Sequence, residues 1–178
     1  MSIRTHHVLD SPIGPLTAVN SDDVLCGLFM HEHRHLPAVE TFGVRDGRGF
    51  GRVAEQLRAY FEARITTFDL PLQLLGTPFQ LRVWAELRGV PYGETRTYGQ
   101  LAAALGSPLA SRAVGLANGR NPISIIVPCH RIVGSTGRLT GYGGGLPRKQ
   151  QLLDHERGGT LFPGEQPDTL RPRGAMSR

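Results

Sequence analysis

The feature that most constrains the fold is a series of helix boundaries that begins at Thr77. Thr77-Pro78-Phe79-Gln80 combines a capping threonine, a proline suited to the first helical position and a glutamine three residues on. Thr97-Tyr98-Gly99-Gln100 repeats the threonine–glutamine pattern, and Ser107-Pro108 offers a third start. Residues suited to a left-handed helix end follow these starts at Gly89, Gly106 and Gly119. The second and third helices, over about 98–105 and 108–118, are so closely joined that they predict a helix-turn-helix.

The first part of the chain favours strands and one helix. "THHVLDS", "LTAVNS" and "DVLCGLFMHEH" are short extended segments separated by turn residues, which predicts a meander. The helix predicted in "GRVAEQLRAYFEAR" has one apolar stripe, formed by Val53, Leu57, Tyr60 and Phe61. We therefore expect an α/β domain with a small antiparallel sheet in residues 1–76 and a mainly α domain in residues 77–162. Residues 163–178 are rich in proline, glycine and arginine and are predicted to be a disordered tail.

Three alternating histidines and one cysteine of the third strand have simple structural interpretations. His31, His33 and His35 would share one face of a strand, where an exposed strand end is favoured over a metal site because nothing nearby completes one. Cys26 lies between apolar neighbours and is interpreted as a small buried hydrophobe.

The second cysteine stands in the stretch "IIVPCHRIVG". "ISIIV" predicts a short buried strand that must end at Pro128, because proline supplies no N–H. Cys129 is then expected on a strand-exit turn, where side chains are presented rather than buried. A nucleophilic cysteine needs nearby positive charge or a histidine base, which His130 and Arg131 could supply, with Glu156 as the carboxylate that orients the histidine. From this spacing alone a structural cysteine is an equal alternative.

The charge distribution suggests an anionic partner for the second half. Between Glu94 and Asp154 the chain carries seven lysine or arginine residues and no acidic residue. A field of one sign suits a polyanion such as nucleic acid, and a solvated basic surface is the alternative interpretation. Cys129 lies inside this interval.

Several motifs of the second half together resemble one known family. "NPISIIVPCHRIVG", followed by "TGYGGGLPRKQQLLDHE" and preceded by a helix-turn-helix that carries Arg112, is similar to the O6-alkylguanine-DNA alkyltransferases. The Pro-Cys-His-Arg motif between β-branched residues is highly specific to that family. The likeness is strong over residues 77–157, and the first half agrees in length and element order. It implies a ribonuclease-H-like first domain and a winged-helix-like second domain.

The resemblance assigns a chemical role to five residues. Cys129 resembles the alkyl acceptor, His130 the base that deprotonates it through a water, and Glu156 the carboxylate that orients the histidine. Asn121 resembles the asparagine that pins the active-site turn. Tyr98 resembles the tyrosine that supports the flipped nucleotide and donates a proton toward the leaving guanine.

Further residues are implied to bind the base and the DNA. Tyr142 and the backbone of Gly143 match the loop that closes over the guanine, with the backbone at Cys129 and Ile132 holding its edge. Many relatives carry a serine where this chain has Gly143, so a side-chain hydroxyl contact is lost. Arg112 resembles the arginine that fills the stack when the damaged base leaves. Other DNA-binding positions are expected at Thr97, Ala110, Ser111, Ala113 and Gly115, the small ones allowing entry into the minor groove.

The function implied by the resemblance is direct-reversal DNA repair. The protein would move the alkyl group of O6-alkylguanine in duplex DNA onto Cys129, once and irreversibly, with O4-alkylthymine as a second candidate substrate. We expect no cofactor and no zinc, a monomer that can cluster on DNA, and a cytoplasmic location, since neither a signal peptide nor an apolar run of membrane length is present.

Three alternatives stay open at this point. A non-catalytic alkyltransferase-like protein would lack the acceptor cysteine. A helix-turn-helix transcriptional regulator would need no Cys-His-Glu set. A thiol hydrolase would turn over ester or amide substrates.

Overall fold

The computed structural model of the chain describes residues 2–159 and residue 161. The described residues form six strands: β1 (Arg4–Leu9), β2 (Leu16–Ser21), β3 (Val24–Met30), β4 (Val44–Arg45), β5 (Arg96–Thr97) and β6 (Ile132–Val133). They also form five α-helices: α1 (Gly51–Phe61), α2 (Pro78–Arg88), α3 (Tyr98–Ala104), α4 (Ser111–Gly119) and α5 (Leu146–Glu156). Short 3₁₀ turns cover Val39–Phe42 and Cys129–Arg131.

The first unit is a four-stranded sheet with one helix beside it, in the order β3-β2-β1-β4. Strands β1, β2 and β3 pair antiparallel in chain order, which confirms the predicted meander. Asp22 and Asp23, both with positive φ, form the tight turn between β2 and β3. The short β4 pairs parallel to β1, so the sheet is mixed rather than purely antiparallel.

Helix α1 covers the sheet with the stripe expected from its sequence. Val53, Leu57, Tyr60 and Phe61 are all buried in it, which confirms the predicted helical spacing. Cys26 is half-buried and packs against the cluster of Val19, Phe29 and Phe42, so its burial is less complete than predicted. The predicted common face of the three histidines is wrong, because β3 ends at Met30; only His33 is buried, while His31 and His35 are exposed.

The second unit packs α2, α3 and α4 around one another. Both predicted capping boxes are complete, with Thr77 accepting from the backbone of Gln80 and Thr97 from that of Gln100. The indole N–H of Trp84 donates to the carbonyl of Ala117 at 2.9 Å and joins α2 to α4. The helix-turn-helix predicted from the sequence is therefore present.

Three of the predicted helix boundaries in this unit are wrong; one is that of Gly119, which is the last residue of α4 and not a left-handed residue after it. Residues 107–110 form a turn closed by the N–H of Ala110 on the carbonyl of Ser107, and α4 begins three residues later than expected, at Ser111. The chain reverses at Gly106, whose φ of 72° is left-handed, and the following turn completes the change of direction. Gly89 has a φ of −82°, so α2 ends without the expected left-handed residue.

The strand predicted at "ISIIV" is also absent. Ile123 makes only an isolated bridge to Leu28 of β3, and Ile125 has a φ of 72°, which breaks an extended run. These apolar residues are fully buried all the same, because the segment crosses the centre of the molecule as a series of turns.

The two units share one hydrophobic core. The bridge between Leu28 and Ile123 joins β3 to the second unit, while the bridge between Leu25 and Leu72 lies within the first. Buried residues of both units, from Leu16 to Leu152, belong to one continuous cluster. The predicted boundary between residues 76 and 77 stays a prediction, and the predicted disordered tail lies outside the described residues.

The described residues contain neither a metal-binding cluster nor a membrane-spanning helix. Within residues 2–159 and 161, histidine, cysteine, aspartate and glutamate side chains form no group of three or more suited to a metal ion. Over the same part of the chain, none of the helices has the length and apolar character needed to cross a membrane.

Candidate active site

Cys129 lies on the turn that was predicted for it, yet its side chain is buried. It opens the 3₁₀ turn Cys129–Arg131 directly after Pro128, and only 4% of the residue is exposed. The expectation of a presented thiol is wrong because the turn points into the molecule, where Asn118 donates to the carbonyl of Cys129 at 3.4 Å.

Asn121 holds the segment that leads to this turn. Its side-chain N–H donates to the carbonyl of Val127 at 2.8 Å, and its side-chain oxygen accepts from the backbone N–H of Ile123 at 3.0 Å. A longer contact of 3.4 Å reaches the carbonyl of Ile123. The amide of Asn121 thus supplies the bonds that a strand ladder would otherwise supply, since buried backbone groups require partners.

His130 and Glu156 meet in the interior. The Nε2 atom of His130 lies 2.8 Å from Oε1 of Glu156, and both side chains are fully buried. A carboxylate only accepts, so Nε2 carries the proton and donates it. The other nitrogen, Nδ1, has no hydrogen-bond partner among the described residues and is the one able to accept a proton.

Arg131 has a different position from the one expected beside the thiol. Its Nε donates to Oε2 of Glu156 at 2.8 Å and its Nη2 to Oε1 at 2.9 Å, while Nη1 donates to the carbonyl of Val90 at 2.6 Å. The guanidinium forms two parallel hydrogen bonds with the carboxylate, which is the geometry that arginine favours. It therefore compensates the buried charge and is not available to lower the pKa of Cys129.

The protonation states of these groups follow from their burial. Burial raises the pKa of the Cys129 thiol, against the opposing effects of Asn121 and of the positive charge on Lys149. Burial lowers the pKa of His130, although Glu156 pulls it the other way. Burial alone would raise the pKa of Glu156, but its bonds to His130 and Arg131 hold it well below its usual range. At neutral pH the site contains a neutral thiol, a neutral imidazole and a carboxylate, which is an arrangement for proton abstraction.

Lys149 is a buried member of the site that the sequence analysis missed. Its Nζ donates to the carbonyl of Ile132 and to those of Thr140 and Gly141, at 3.0 and 3.4 Å. Burial lowers its pKa to about 8. One signal could have revealed it: Lys149 precedes Glu156 by seven residues, so both lie on the same face of α5.

A pocket of about 230 Å³ lies between α4 and the glycine-rich loop at residues 141–143. Tyr98, Gly115 and Asn118 contribute one wall, and Gly141, Tyr142 and Gly143 contribute another. Leu116, Gly119 and three exposed polar side chains drawn from both units complete the lining, the polar ones being Arg34, His35 and Arg120. Since Asn118 also touches the backbone of Cys129, the pocket lies next to the turn that carries the thiol.

The tyrosines of the pocket differ in their surroundings. The hydroxyl of Tyr98 donates to the carbonyl of Thr140 at 3.4 Å, which links α3 to the glycine-rich loop. Tyr142 is 8% exposed, and its hydroxyl has no partner among the described residues. The backbone of Ile132, expected at the edge of a bound base, already accepts from Lys149.

Gly143 is packed against a residue of the first unit. A Cβ atom added to Gly143 would lie 2.4 Å from Nε2 of His33, far inside van der Waals contact. The N–H of Arg34 donates to the carbonyl of Gly143 at 2.8 Å and fixes the same spot. The imidazole of His33 therefore fills the space that a serine side chain would need.

The predicted DNA-binding residues lie along one edge of the helix-turn-helix. Arg112, Ser111 and Ala113 are exposed at the start of α4, and the partly buried Gly115 packs on the ring of Tyr98. The side chain of Thr97 accepts the capping hydrogen bond from the backbone N–H of Gln100. Two apolar residues of this edge escaped the sequence analysis: Leu109 is 98% exposed and Leu116 is 71% exposed.

Comparison with known proteins gives two family models that divide the chain. The model described as "6-O-methylguanine DNA methyltransferase, ribonuclease-like domain" matches residues 5–74, and the model of the DNA binding domain of the same methyltransferase matches residues 78–158. These matches confirm the predicted fold class.

Relatives from bacteria and archaea match over most of their length. The methylated-DNA–protein-cysteine methyltransferase of Mycolicibacterium paratuberculosis is 53% identical over 152 residues, which are 85% of this chain and 92% of that protein. The protein of the same name from Methanosarcina acetivorans is 46% identical over 84% of this chain and 96% of its own. The crystal structure of Mycobacterium tuberculosis OGT in complex with DNA has a TM-score of 0.84 and 51% identity, covering 86% of this chain and 93% of that chain.

The contact between Gly143 and His33 predicts an energetic coupling across the two units. Gly143→Ala should lower the free energy of unfolding by about 1–3 kcal/mol, because the new methyl group overpacks the site. In a His33→Ala background the same change should have a smaller effect, as measured by urea unfolding of the four proteins. Gly51→Ala serves as the control, since nothing lies within 4 Å of a Cβ there. Equal effects of Gly143→Ala in both backgrounds would show that His33 does not fill the space.

The buried carboxylate predicts a pH-dependent stability. The folded pKa of Glu156 is depressed, so its contribution is fully present above the ordinary carboxyl pKa of about 4.3 and is lost as the pH falls below that value. Glu156→Gln leaves Arg131 without its partner and should lower the free energy of unfolding at pH 7 by about 3–5 kcal/mol. The difference from the parent protein should shrink below pH ~4. Glu55→Gln, on the exposed face of α1, should show neither effect in the same denaturation series.

Proposed function

The chain belongs to the 6-O-methylguanine DNA methyltransferase family, and from this premise we propose that it repairs O6-alkylguanine in duplex DNA by transferring the alkyl group to its own Cys129. The observation that carries the proposal is the buried Cys129 directly before His130, whose ring is bonded to Glu156, next to a pocket that borders the helix-turn-helix. The transfer is a direct reversal of damage, and each molecule acts once.

The reaction requires a thiolate, which the resting site does not contain. His130 takes the thiol proton on Nδ1, through a bridging water, and its Nε2–H bond to Glu156 stabilises the resulting imidazolium. The thiolate sulfur then attacks the sp³ carbon bound to O6 in line with the C–O bond. A C–S bond forms, the C–O bond breaks, and its electron pair goes to the guanine.

The leaving guanine needs a proton to become neutral. Tyr98, on the wall of the pocket, donates it, and the proton held by His130 restores the phenol through solvent. Protons and charge therefore balance: alkylguanine and thiol become guanine and thioether. The thioether is chemically stable, so Cys129 is not regenerated and the reaction needs no cofactor.

Recognition of the damaged base falls to the pocket. A base inside a duplex is out of reach of a buried thiol, so the nucleotide must rotate out of the stack at a cost of a few kcal/mol. Tyr142 and the backbone of Gly143 would hold the base from one side, with the backbone of Cys129 and Ile132 at its edge. The pocket volume of about 230 Å³ suits one flat base.

DNA binding falls to the exposed edge of α4. Arg112 stands at the start of the helix and would occupy the gap left by the rotated base, while Ala110, Ser111 and Ala113 leave room for the minor groove. Arginine and lysine side chains between Glu94 and Asp154 would contact phosphates without regard to sequence. We propose that the protein acts as a monomer on DNA in the cytoplasm.

The acceptor role of Cys129 predicts a change of mass. After one incubation with a duplex that contains O6-methylguanine, the protein should gain the mass of one methylene, and peptide mapping should place it on Cys129. Cys129→Ser should show no gain and should still bind the lesion, because only thiolate nucleophilicity is removed. Cys26→Ser is the matched control and should be alkylated like the parent. A full gain in Cys129→Ser would refute the assignment, and turnover without a mass change would indicate a hydrolase.

The role of Arg112 predicts a difference between substrates. Arg112→Ala should slow repair in duplex DNA roughly ten- to hundred-fold, equivalent to about 1.4–2.8 kcal/mol. It should leave the reaction with free O6-benzylguanine nearly unchanged, because a free base needs no rotation out of a stack. Arg88→Ala, an exposed change of equal charge at the end of α2, is the control in single-turnover assays. Equal losses on both substrates would mean that Arg112 serves the fold or the thiol instead.

A further inference from the structure

The first unit sends one side chain into the proton relay of the second. Tyr60 belongs to α1, is completely buried, and its hydroxyl donates to Oε1 of Glu156 at 2.7 Å. We propose that Tyr60 is a positioning residue of alkyl transfer, which sets how strongly Glu156 draws a proton onto His130. The inference rests on the proposed function and adds to it a role for the first unit in the chemistry.

The oxygen that Tyr60 contacts is the one that orients the base. Oε1 of Glu156 accepts from the hydroxyl of Tyr60, from Nε2 of His130 at 2.8 Å and from Nη2 of Arg131 at 2.9 Å. Oε2 accepts from Nε of Arg131 and from the N–H of Gly93, at 2.8 and 3.1 Å. Five donors thus share a carboxylate with about four lone-pair sites. Every donor on Oε1 reduces the negative charge that is available to the imidazole.

The tyrosine cannot turn away from this oxygen. Its backbone carbonyl lies 2.8 Å from Nε2 of His155, and its ring meets the rings of His155 and Tyr92 edge to face at 5.2 and 6.0 Å. Burial and the negative charge of Glu156 raise the pKa of Tyr60 well above its usual range, so the hydroxyl stays protonated and remains a donor.

Other charged and titratable groups that act on Glu156 or His130 are Arg131, Lys149, Tyr92 and Tyr142. Arg131 lies over the ring of Tyr92 at 5.8 Å, and its charge acts on both the carboxylate and His130. The positive charge of Lys149 also lowers the pKa of His130. None of these groups is changed when the hydroxyl of Tyr60 is removed.

Removal of the hydroxyl should therefore make His130 a stronger base. Without the hydrogen bond from Tyr60, Oε1 keeps more of its negative charge and accepts a stronger hydrogen bond from Nε2 of His130. The imidazolium is then more stable, so the pKa of the imidazole rises. Transfer fails at pH values where His130 is already protonated, because it cannot then accept the thiol proton. The acidic limb of the rate profile should move to higher pH.

The experiment compares Tyr60→Phe with the parent in single-turnover transfer from free O6-benzylguanine across pH. We expect the acidic limb to shift upward by about half to one pH unit. Tyr92→Phe is the matched control, because it removes a neighbouring phenol that makes no hydrogen bond to Glu156 in the described residues; its limb should coincide with that of the parent. A hydroxyl that served only the fold would change the rate equally at all pH values.

A second variant should shift the acidic limb in the opposite direction. A fluorinated tyrosine placed at position 60 is a stronger donor and keeps the ring, so it should move the acidic limb to lower pH. Titration of the His130 ring nitrogens by ¹⁵N NMR should follow the same order in all three proteins. Unchanged limbs and unchanged ring titrations would overturn the role of Tyr60. If instead the parent fails to alkylate Cys129 at all, the proposed function itself is wrong.

Discussion

The site depends on one buried carboxylate. A charge such as that of Glu156 is tolerated in the interior only when hydrogen-bond donors surround it, because an uncompensated buried ion is strongly destabilising. Its donors come from three parts of the chain: α1, the segment before β5, and the turn after Pro128, which supplies both His130 and Arg131. All three must reach the same point, so the demand for compensation fixes the turn that carries Cys129.

Much of the fold could be predicted because its signals are local. The threonine–glutamine boxes at Thr77 and Thr97 and the apolar stripe of α1 depend only on neighbours in the chain, and each occurs as expected. The segment 123–127 was misread as a strand because β-branched residues indicate burial as readily as extension. The backbone path of this segment is fixed by hydrogen bonds to the side-chain amide of Asn121, and residue propensities do not predict such bonds.

The site could be predicted in part, for a related reason. Cys129, His130 and Glu156 were identified through motifs, and the structure brings the latter two into contact. The burial of the thiol and the engagement of Arg131 were missed, since a sequence shows which charges are near in the chain but not which one each charge faces. Tyr60 was identified only as a core residue, because its hydroxyl finds its partner 96 residues away.

The continuous core limits how the halves of related proteins can be combined in one chain. Leu28 of β3 is bridged to Ile123 in the second half, and Tyr60 completes a hydrogen-bond set whose centre lies in the last helix. A chimera that joined the first half of one relative to the second half of another would have to match this bridge and the buried phenol at once. A chimera of two distant relatives that breaks either contact should therefore be less stable than its parents.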